Sequence, residues 1–313
     1  MKAEASLHVP AGSDATALDL PLLTVRAEAP GPHVVVLGGV HGDEYEGRVA
    51  AALVWHDSAT RLARGSISVV PTANAPACEA GTRASPIDGL NLARVFPGSD
   101  TGSVTERIAS ALSSLIRRAD LLIDLHSAGQ QYAMPMLCGA YAAESDLGRR
   151  CEAAAHAFGA PIFWAHPEVA AGRSLSVALE SGIACIYAEC GGGGRVRSGD
   201  LETYRHGVAR VLAHLGMLPP VEPPPPPRLR LWSDGNVDLA LPASHAGVLL
   251  EAVGLLERVS RGQVLGTVVD DRGNTLETLC APSDGIVVMA RRTALVQPGD
   301  GAYLLALEAA PST

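Results

Sequence analysis

Over the first two-thirds of the chain, short runs of β-branched and aliphatic residues alternate with segments whose apolar positions recur at helical spacing. Residues 34–37, 67–70, 121–125, 162–163 and 183–189 form the apolar runs. They are short, rich in Val and Ile and often bounded by Gly or polar residues, which predicts buried strands. Residues 45–63, 104–119 and 200–215 carry the 3.6-residue apolar period of amphipathic helices. Strand and helix in alternation predict an α/β fold, a mixed sheet flanked by helices. The pattern breaks at Pro219-Pro220-Val221-Glu222-Pro223-Pro224-Pro225-Pro226-Pro227, which can join neither a helix nor a central strand and favours extended polyproline geometry. Beyond it, short apolar runs are punctuated by Gly247, Gly254, Gly262, Gly266, Gly273, Gly285 and Gly299, the spacing of a small all-β barrel or sandwich. The expected organisation is a first domain over 1–217, a proline-rich linker over 218–229 and an all-β domain over 230–313.

Chemistry concentrates where the predicted strands end. The strand at 34–37 runs into Gly38-Gly39-Val40-His41-Gly42-Asp43-Glu44, and the strand at 121–125 into His126. In open α/β sheets ligands bind beyond the carboxyl ends of strands, and a three-residue spacing at a helix start lets His41 and Glu44 face one point. Two imidazoles and one carboxylate form the ligand set of a catalytic zinc site whose fourth position is left to water. One zinc ion per chain, held by His41, Glu44 and His126, is therefore expected. A single His-x-x-Glu is weak evidence, and it is the combination that carries weight. Asp124, two residues before His126, falls on the same side of an extended strand. It reads as the partner that holds the His126 tautomer, or as a capping or salt-bridged aspartate. A third strand delivers Glu189 into Cys190-Gly191-Gly192-Gly193-Gly194, which makes Glu189 the candidate general base.

Composition narrows the function classes. The chain has 313 residues, 47% hydrophobic and 18% charged, with a formal net charge of -9. This is enough for a large core, and the acidic balance argues against a nucleic-acid surface, which needs clustered Lys and Arg. Adjacent basic residues occur in runs no longer than two, as at Arg117-Arg118, Arg149-Arg150 and Arg291-Arg292. No apolar run approaches the length of a membrane span and the first 30 residues carry no basic-plus-apolar leader, so a cytoplasmic protein without a membrane partner is expected. The six cysteines are irregularly spaced, which predicts reduced, mostly buried thiols. Cys190 lacks a histidine partner and reads as loop lining rather than a nucleophile.

The Gly-Gly-Val-His-Gly-Asp-Glu segment, Asp-Leu-His-Ser and Glu189-Cys190-Gly191-Gly192 together resemble the succinylglutamate desuccinylase and aspartoacylase branch of the zinc carboxypeptidase-like hydrolases. The resemblance covers most of the chain and implies that His41, Glu44 and His126 hold zinc, that Glu189 is the base and that Arg83 polarises the scissile carbonyl. A homodimer is a further family-level expectation. In relatives an Asn-Arg pair grips a substrate carboxylate; here the place reads Asn91-Leu92-Ala93-Arg94. Arg94 keeps the charged fork, Ala93 lacks the amide, and Asn91 falls on the same face of an extended segment, where it stands in for the amide or serves as a turn residue. The substrate is accordingly expected to differ from acyl-aspartate and succinyl-glutamate. Residues 259–266 and 281–287 resemble the lipoyl and biotinyl carrier fold. No lysine occupies a carrier hairpin tip, so the module is expected to narrow access to the site rather than carry a cofactor, with stabilisation of an oligomer as its alternative role.

Weaker candidates are Tyr141 and Tyr187, for an oxyanion or leaving group, and Arg173, Arg195 and Arg197, for a substrate anion. His33, His56, His156, His166, His206, His214 and His245 show no partner spacing and read as structural. The combined expectation is a zinc-dependent amidohydrolase that removes an acyl group from a small N-acyl amino acid or amine. Its alternatives are a metallocarboxypeptidase acting on short peptides and a non-catalytic binding protein with a degenerate site.

Overall fold

The alternating first two-thirds of the chain folds, in the computed structural model, as a mixed α/β structure built on one large sheet. Residues 1–12 and 16–309 are described. In chain order the first part runs β1 (Lys2–Val9), β2 (Leu18–Arg26), β3 (Ala29–Gly38), α1 (Tyr45–Ser58), β4 (Arg64–Val70), α2 (Ala75–Ala80), α3 (Val104–Ile116) and β5 (Leu121–Leu125). It continues with β6 (Tyr132–Ala133), β7 (Leu137–Tyr141), α4 (Asp146–Phe158), β8 (Ile162–His166), α5 (Ser174–Glu180), β9 (Ala184–Glu189) and α6 (Ser198–His214). The later strands are β10 (Leu229–Trp232), β11 (Leu241–Pro242), β12 (Gly247–Glu251), β13 (Arg258–Val259), β14 (Val264–Val269), β15 (Thr275–Cys280), β16 (Gly285–Arg291), β17 (Leu295–Val296) and β18 (Gly301–Glu308).

The main path of the large sheet runs β1-β2-β4-β3-β5-β9-β7-β8-β10-β18-β16-β13. At its centre β4, β3, β5 and β9 are parallel, with Leu37 level with Asp124 and Asp124 level with Tyr187. Val34, Val35, Val36, Leu37, Leu122 and Ile123 are fully buried, as strands covered on both faces must be. Parallel pairing puts the carboxyl ends of β3, β5 and β9 side by side on one edge, so the segments carrying His41, His126 and Glu189 leave the sheet together. β7 runs antiparallel to β9, pairing Leu137 with Glu189, and β8 is parallel to β7.

Period-two alternation places Asp124 and His126 of the β5 segment, Tyr187 and Glu189 of β9, and Trp164 and His166 of β8 on one sheet face. Gly139, paired with both Trp164 and Tyr187, lets that face stay open: a Cβ there would come within 2.0 Å of the Tyr187 ring.

The proline-rich stretch has no regular structure, and β10 begins at Leu229, the last residue of the expected linker. β10 pairs in parallel with β8 and antiparallel with β18, so the large sheet continues into the C-terminal third. A separate four-stranded sheet has the order β15-β14-β12-β17. One buried cluster, including Leu137, Ile162 and Trp164 from the first part and Leu231, Val288 and Met289 from the last, joins the two regions.

Candidate metal centre

Two turns and a helix start build the centre. After β3 the chain turns through Gly39, at φ 67, and Gly42 passes so close to α2 that a Cβ would meet the Ala77 carbonyl oxygen at 1.9 Å. Only glycine fits both demands. His41 follows the first turn, and Glu44 is the N-cap of α1, a position where the helix's own partial positive charge favours a carboxylate. Gly47, on the first turn of α1, sits against the end of β5: a Cβ there would be 2.0 Å from the Leu125 carbonyl oxygen. That close approach brings Glu44 beside His126.

His41, Glu44 and His126 are buried, and one ligand atom from each lies within 4.8 Å of the others. His41 Nδ1 is 2.7 Å from Glu44 Oε1, and His126 Nδ1 is 2.9 Å from Glu44 Oε2. The far nitrogens are both engaged. His41 Nε2 donates to Asn91 Oδ1 at 3.0 Å, and His126 Nε2 is in charge contact with Asp124 Oδ1 at 3.2 Å. An imidazole whose Nε2–H is held by an oxygen presents its Nδ1 lone pair, and both lone pairs here face the same carboxylate. Three donors converging in this way fit a cation, and the nitrogen and oxygen set suits zinc. Ser174 Oγ donates to Asp124 Oδ2, the Ser127 amide donates to Glu44 Oε2 at 3.1 Å, and Tyr204 donates to the His126 carbonyl at 2.7 Å, which fixes the support shell.

The charges are strongly coupled. Burial opposes it, but His41 and His126 together hold the Glu44 carboxyl well below its usual range. Burial also opposes the shift of His126, yet Asp124 and Glu44 raise it well above the ordinary histidine value. His41 is lowered, by burial first and by Arg83 second. Glu189 is pushed up to about 8, mainly by burial and then by Glu44, and its Oε2 is buried with no hydrogen-bond partner.

Arg83 is the nearest fixed cation of the expected set, with Nη1 3.0 Å from Glu44 Oε1. Asn91 does not point its acceptor into the cleft as an extended-face neighbour of Arg94 would. It is the N-cap of a short 3-10 turn over Leu92–Arg94, and its Oδ1 accepts from both His41 Nε2 and, at 2.9 Å, the Ala93 amide, so the local turn uses it to orient the His41 ring. Arg94 lines the cleft but is held in a two-bond fork by Asp238, at 2.7 Å for each bond. Asp124 Oδ1 is 3.2 Å from His126 Nε2, while its Oδ2 accepts from Ser174. Cys190 is fully buried and its thiol is pushed up by that burial, which suits packing rather than nucleophilic attack.

Tyr187 and Arg173, weaker candidates from the sequence, and His166, read there as structural, also line the cleft. His166 Nδ1 donates to the Ser233 carbonyl at 2.8 Å, and its Nε2 accepts from Tyr187 at 2.9 Å, which keeps the ring neutral. Burial lowers its pKa to about 4. His166 ends β8, two residues past Trp164 and so on the same face of the strand. Arg173, half-buried, donates to Asn236 Oδ1 at 2.9 Å and lies 4.0 Å from Asp238. Asp234 and Gly235 of the C-terminal third close the same cleft.

The mixed α/β sheet thus presents two histidines and one carboxylate just beyond the ends of adjacent parallel strands, the edge where open α/β sheets bind ligands. Residues 30–215 match the succinylglutamate desuccinylase/aspartoacylase catalytic domain, and the chain belongs to that family. It is 32% identical to an N-alpha-acetyl-L-2,4-diaminobutyric acid deacetylase from Halomonas elongata, over 96% of this chain and 90% of the relative. Among solved structures, the product-bound ectoine utilization protein EutE (DoeB) from Ruegeria pomeroyi is 29% identical with a TM-score of 0.88, covering 98% of this chain and 95% of that one. A succinylglutamate desuccinylase from Silicibacter sp. TM1040 matches with the same TM-score and coverage at 28% identity.

Proposed function

We propose that this protein is a zinc-dependent amidohydrolase that removes the acyl group from a small N-acylated amino acid. The observation that carries the reading is the convergence of His41, Glu44 and His126 beside an unpartnered Glu189 oxygen in a cleft that also presents Arg83. Bound to the three ligands, zinc supplies a Lewis acid for the amide carbonyl and acidifies a water molecule.

The protein's own groups do the rest. Glu189 takes a proton at its free Oε2 and returns it to the leaving nitrogen, and a pKa raised to about 8 keeps both protonation states accessible near neutrality. Arg83 sets a fixed positive charge where the carbonyl oxygen gains negative charge, an arrangement worth about 3 kcal/mol when one such donor is removed elsewhere. Asn91 and Asp124 hold the two imidazoles in the ligand tautomer. The C-terminal residues Asp234, Gly235 and Val237 roof the cleft, which favours a small substrate over a peptide chain.

With Arg94 paired to Asp238 and Ala93 in place of an amide, Arg173 is the group best suited to a substrate carboxylate. Asp234, on the same cleft wall, suits an ammonium group. This pairing of charges fits an N-acyl diamino acid, the kind of compound named for the Halomonas relative. Membership in the family and the length of the match support the reading.

The test is metal analysis of the purified protein and its His126→Ala variant, each assayed with N-acyl amino acids and C-terminal dipeptides. One zinc per chain, lost in the variant, with acyl release is the expected result. Cleavage of dipeptides alone would make the protein a carboxypeptidase, and absence of any hydrolysis would make it a binding protein. Glu189→Gln is expected to keep zinc and lose about 100- to 10,000-fold in kcat.

A further inference from the structure

Next to the candidate centre, and joined to it through Ser127, lies a second group of ligand-type side chains that the proposed reaction does not use. Glu46, Cys190 and Asp200 each offer one donor atom, and these atoms all lie within 4.8 Å of one another. Three elements supply them: Glu46 stands in the first turn of α1, Cys190 in the loop that leaves β9, and Asp200 in the first turn of α6. None of the three lines the cleft. The Ser127 amide donates to Glu44 Oε2 at 3.1 Å and its hydroxyl to Glu46 Oε2 at 2.7 Å, so one residue braces a carboxylate in each group.

The second group is short of positive charge. Glu46 is 1% exposed, and its Oε1 is buried with no hydrogen-bond partner among the described residues. Asp200 Oδ2 is likewise buried without a hydrogen bond, with Arg197 Nη1 3.5 Å away on a half-exposed side chain. The fully buried Cys190 thiol is pushed up by burial first and then by the charge of Glu46, with Asp200 and Glu189 adding to it. Two carboxylates and a thiol brought together in this way are costly unless a cation or a shared proton joins them.

We propose that Glu46, Cys190 and Asp200 form a second metal site, which takes one thiophilic divalent ion of the zinc type with water completing its shell. Two oxygens and one sulfur suit such an ion better than magnesium or calcium, which prefer oxygen alone. Half-buried Asp200 gives it a way in from the surface. As the ion enters, the thiol loses its proton to solvent, and that cost makes this the weaker of the two sites, filled when metal is added to a protein that already carries one ion. The ion ties together the starts of α1 and α6 and the glycine loop after Glu189, so its effect falls on stability rather than on the reacting atoms.

The experiment titrates cobalt(II), under argon, into the full chain, its His126→Ala variant, and Cys190→Ser and Asp200→Asn variants. His41, Glu44 and His126 offer no sulfur, so a thiolate-to-cobalt charge-transfer band in the near ultraviolet reports the second site alone. The band is expected in wild type and in His126→Ala, and the same titration should raise the melting temperature of His126→Ala. Cys190→Ser is expected to abolish it; exposed Cys280 remains in that variant, so a band arising there would persist. Asp200→Asn is expected to weaken cobalt binding by about tenfold or more, the loss that follows even from removing a hydrogen-bond partner of a ligand. If Cys190→Ser fails to fold, Asp200→Asn, a change at a half-buried side chain, decides the matter. Absence of the band in wild type, a band that survives Cys190→Ser, or unchanged affinity in Asp200→Asn overturns the proposal and leaves Glu46 and Asp200 joined by a proton. Each of these outcomes is independent of whether the protein hydrolyses N-acyl amino acids.

Discussion

Asn91 and Asp124 each touch the far nitrogen of a histidine of the candidate centre, and neither needs to touch substrate to matter. Groups in this position typically govern metal affinity by 10- to 100-fold. Asn91→Ala and Asp124→Asn are each expected to weaken zinc binding by that amount, measured by competition with a chromogenic chelator, with folding retained. His166 is a different case, because its cost is to stability. Its folded pKa, lowered by burial to about 4, lies below the value of 6.5 for an exposed histidine. Between these values the unfolded chain binds a proton that the fold excludes, so stability falls as pH drops from about 6.5 toward 4. Above 6.5 the ring is neutral in both states and the full contribution is present. The shift corresponds to on the order of 3 kcal/mol. Denaturant unfolding across that window should show a shallower pH dependence in His166→Gln than in wild type; equal slopes would mean that His166 is protonated in the fold.

At the scale of elements, the centre depends on how closely α1 approaches the end of β5. Gly47 allows it, and the methyl of Gly47→Ala would have to displace the Leu125 backbone, one residue from His126. Overpacking of this kind costs about 1–3 kcal/mol. A lower melting temperature and weaker zinc binding should therefore appear together in Gly47→Ala. Retention of wild-type zinc affinity would show that the helix and strand move as a unit. The elements that position ligands were legible because each combined a β-branched run with an abrupt polar end: 121–125 matches β5, and 34–37 and 183–189 fall on β3 and β9. The helices expected at 45–63, 104–119 and 200–215 are observed as Tyr45–Ser58, Val104–Ile116 and Ser198–His214. Helices α4 and α5 and the N-terminal strands β1 and β2 left weaker traces. The buried stripe of α4 is made largely of small residues, Gly148, Cys151, Ala154 and Ala155, α5 spans only 7 residues, and β1 is an edge strand with most side chains exposed.

At the scale of the whole molecule, the C-terminal third is joined to the rest by β10 in the large sheet, by the cluster around Trp164, Leu231 and Met289, and by the Arg94–Asp238 fork. These links predict one cooperative unfolding transition, with far-ultraviolet circular dichroism and tryptophan fluorescence coinciding. A chain ending at residue 217 would uncover Ile162 and Trp164 and is expected to lose the folded signal; two separated transitions in the full chain would point instead to independent domains.

The amino-acid sequence by itself marked His41, Glu44, His126 and Glu189 and the short apolar runs of the core strands, because those depend on residue type and short-range period. His41 and Glu44 are three residues apart, and His126 and Glu189 each end an apolar run, so local pattern sufficed. Tertiary structure alone decided what Asn91, Arg94, His166, Asp238 and Met289 face. Those contacts join residues as much as 144 positions apart in the chain, as in the Arg94–Asp238 pair. No local period encodes which of two charged groups an arginine will meet once the sheet has brought them together.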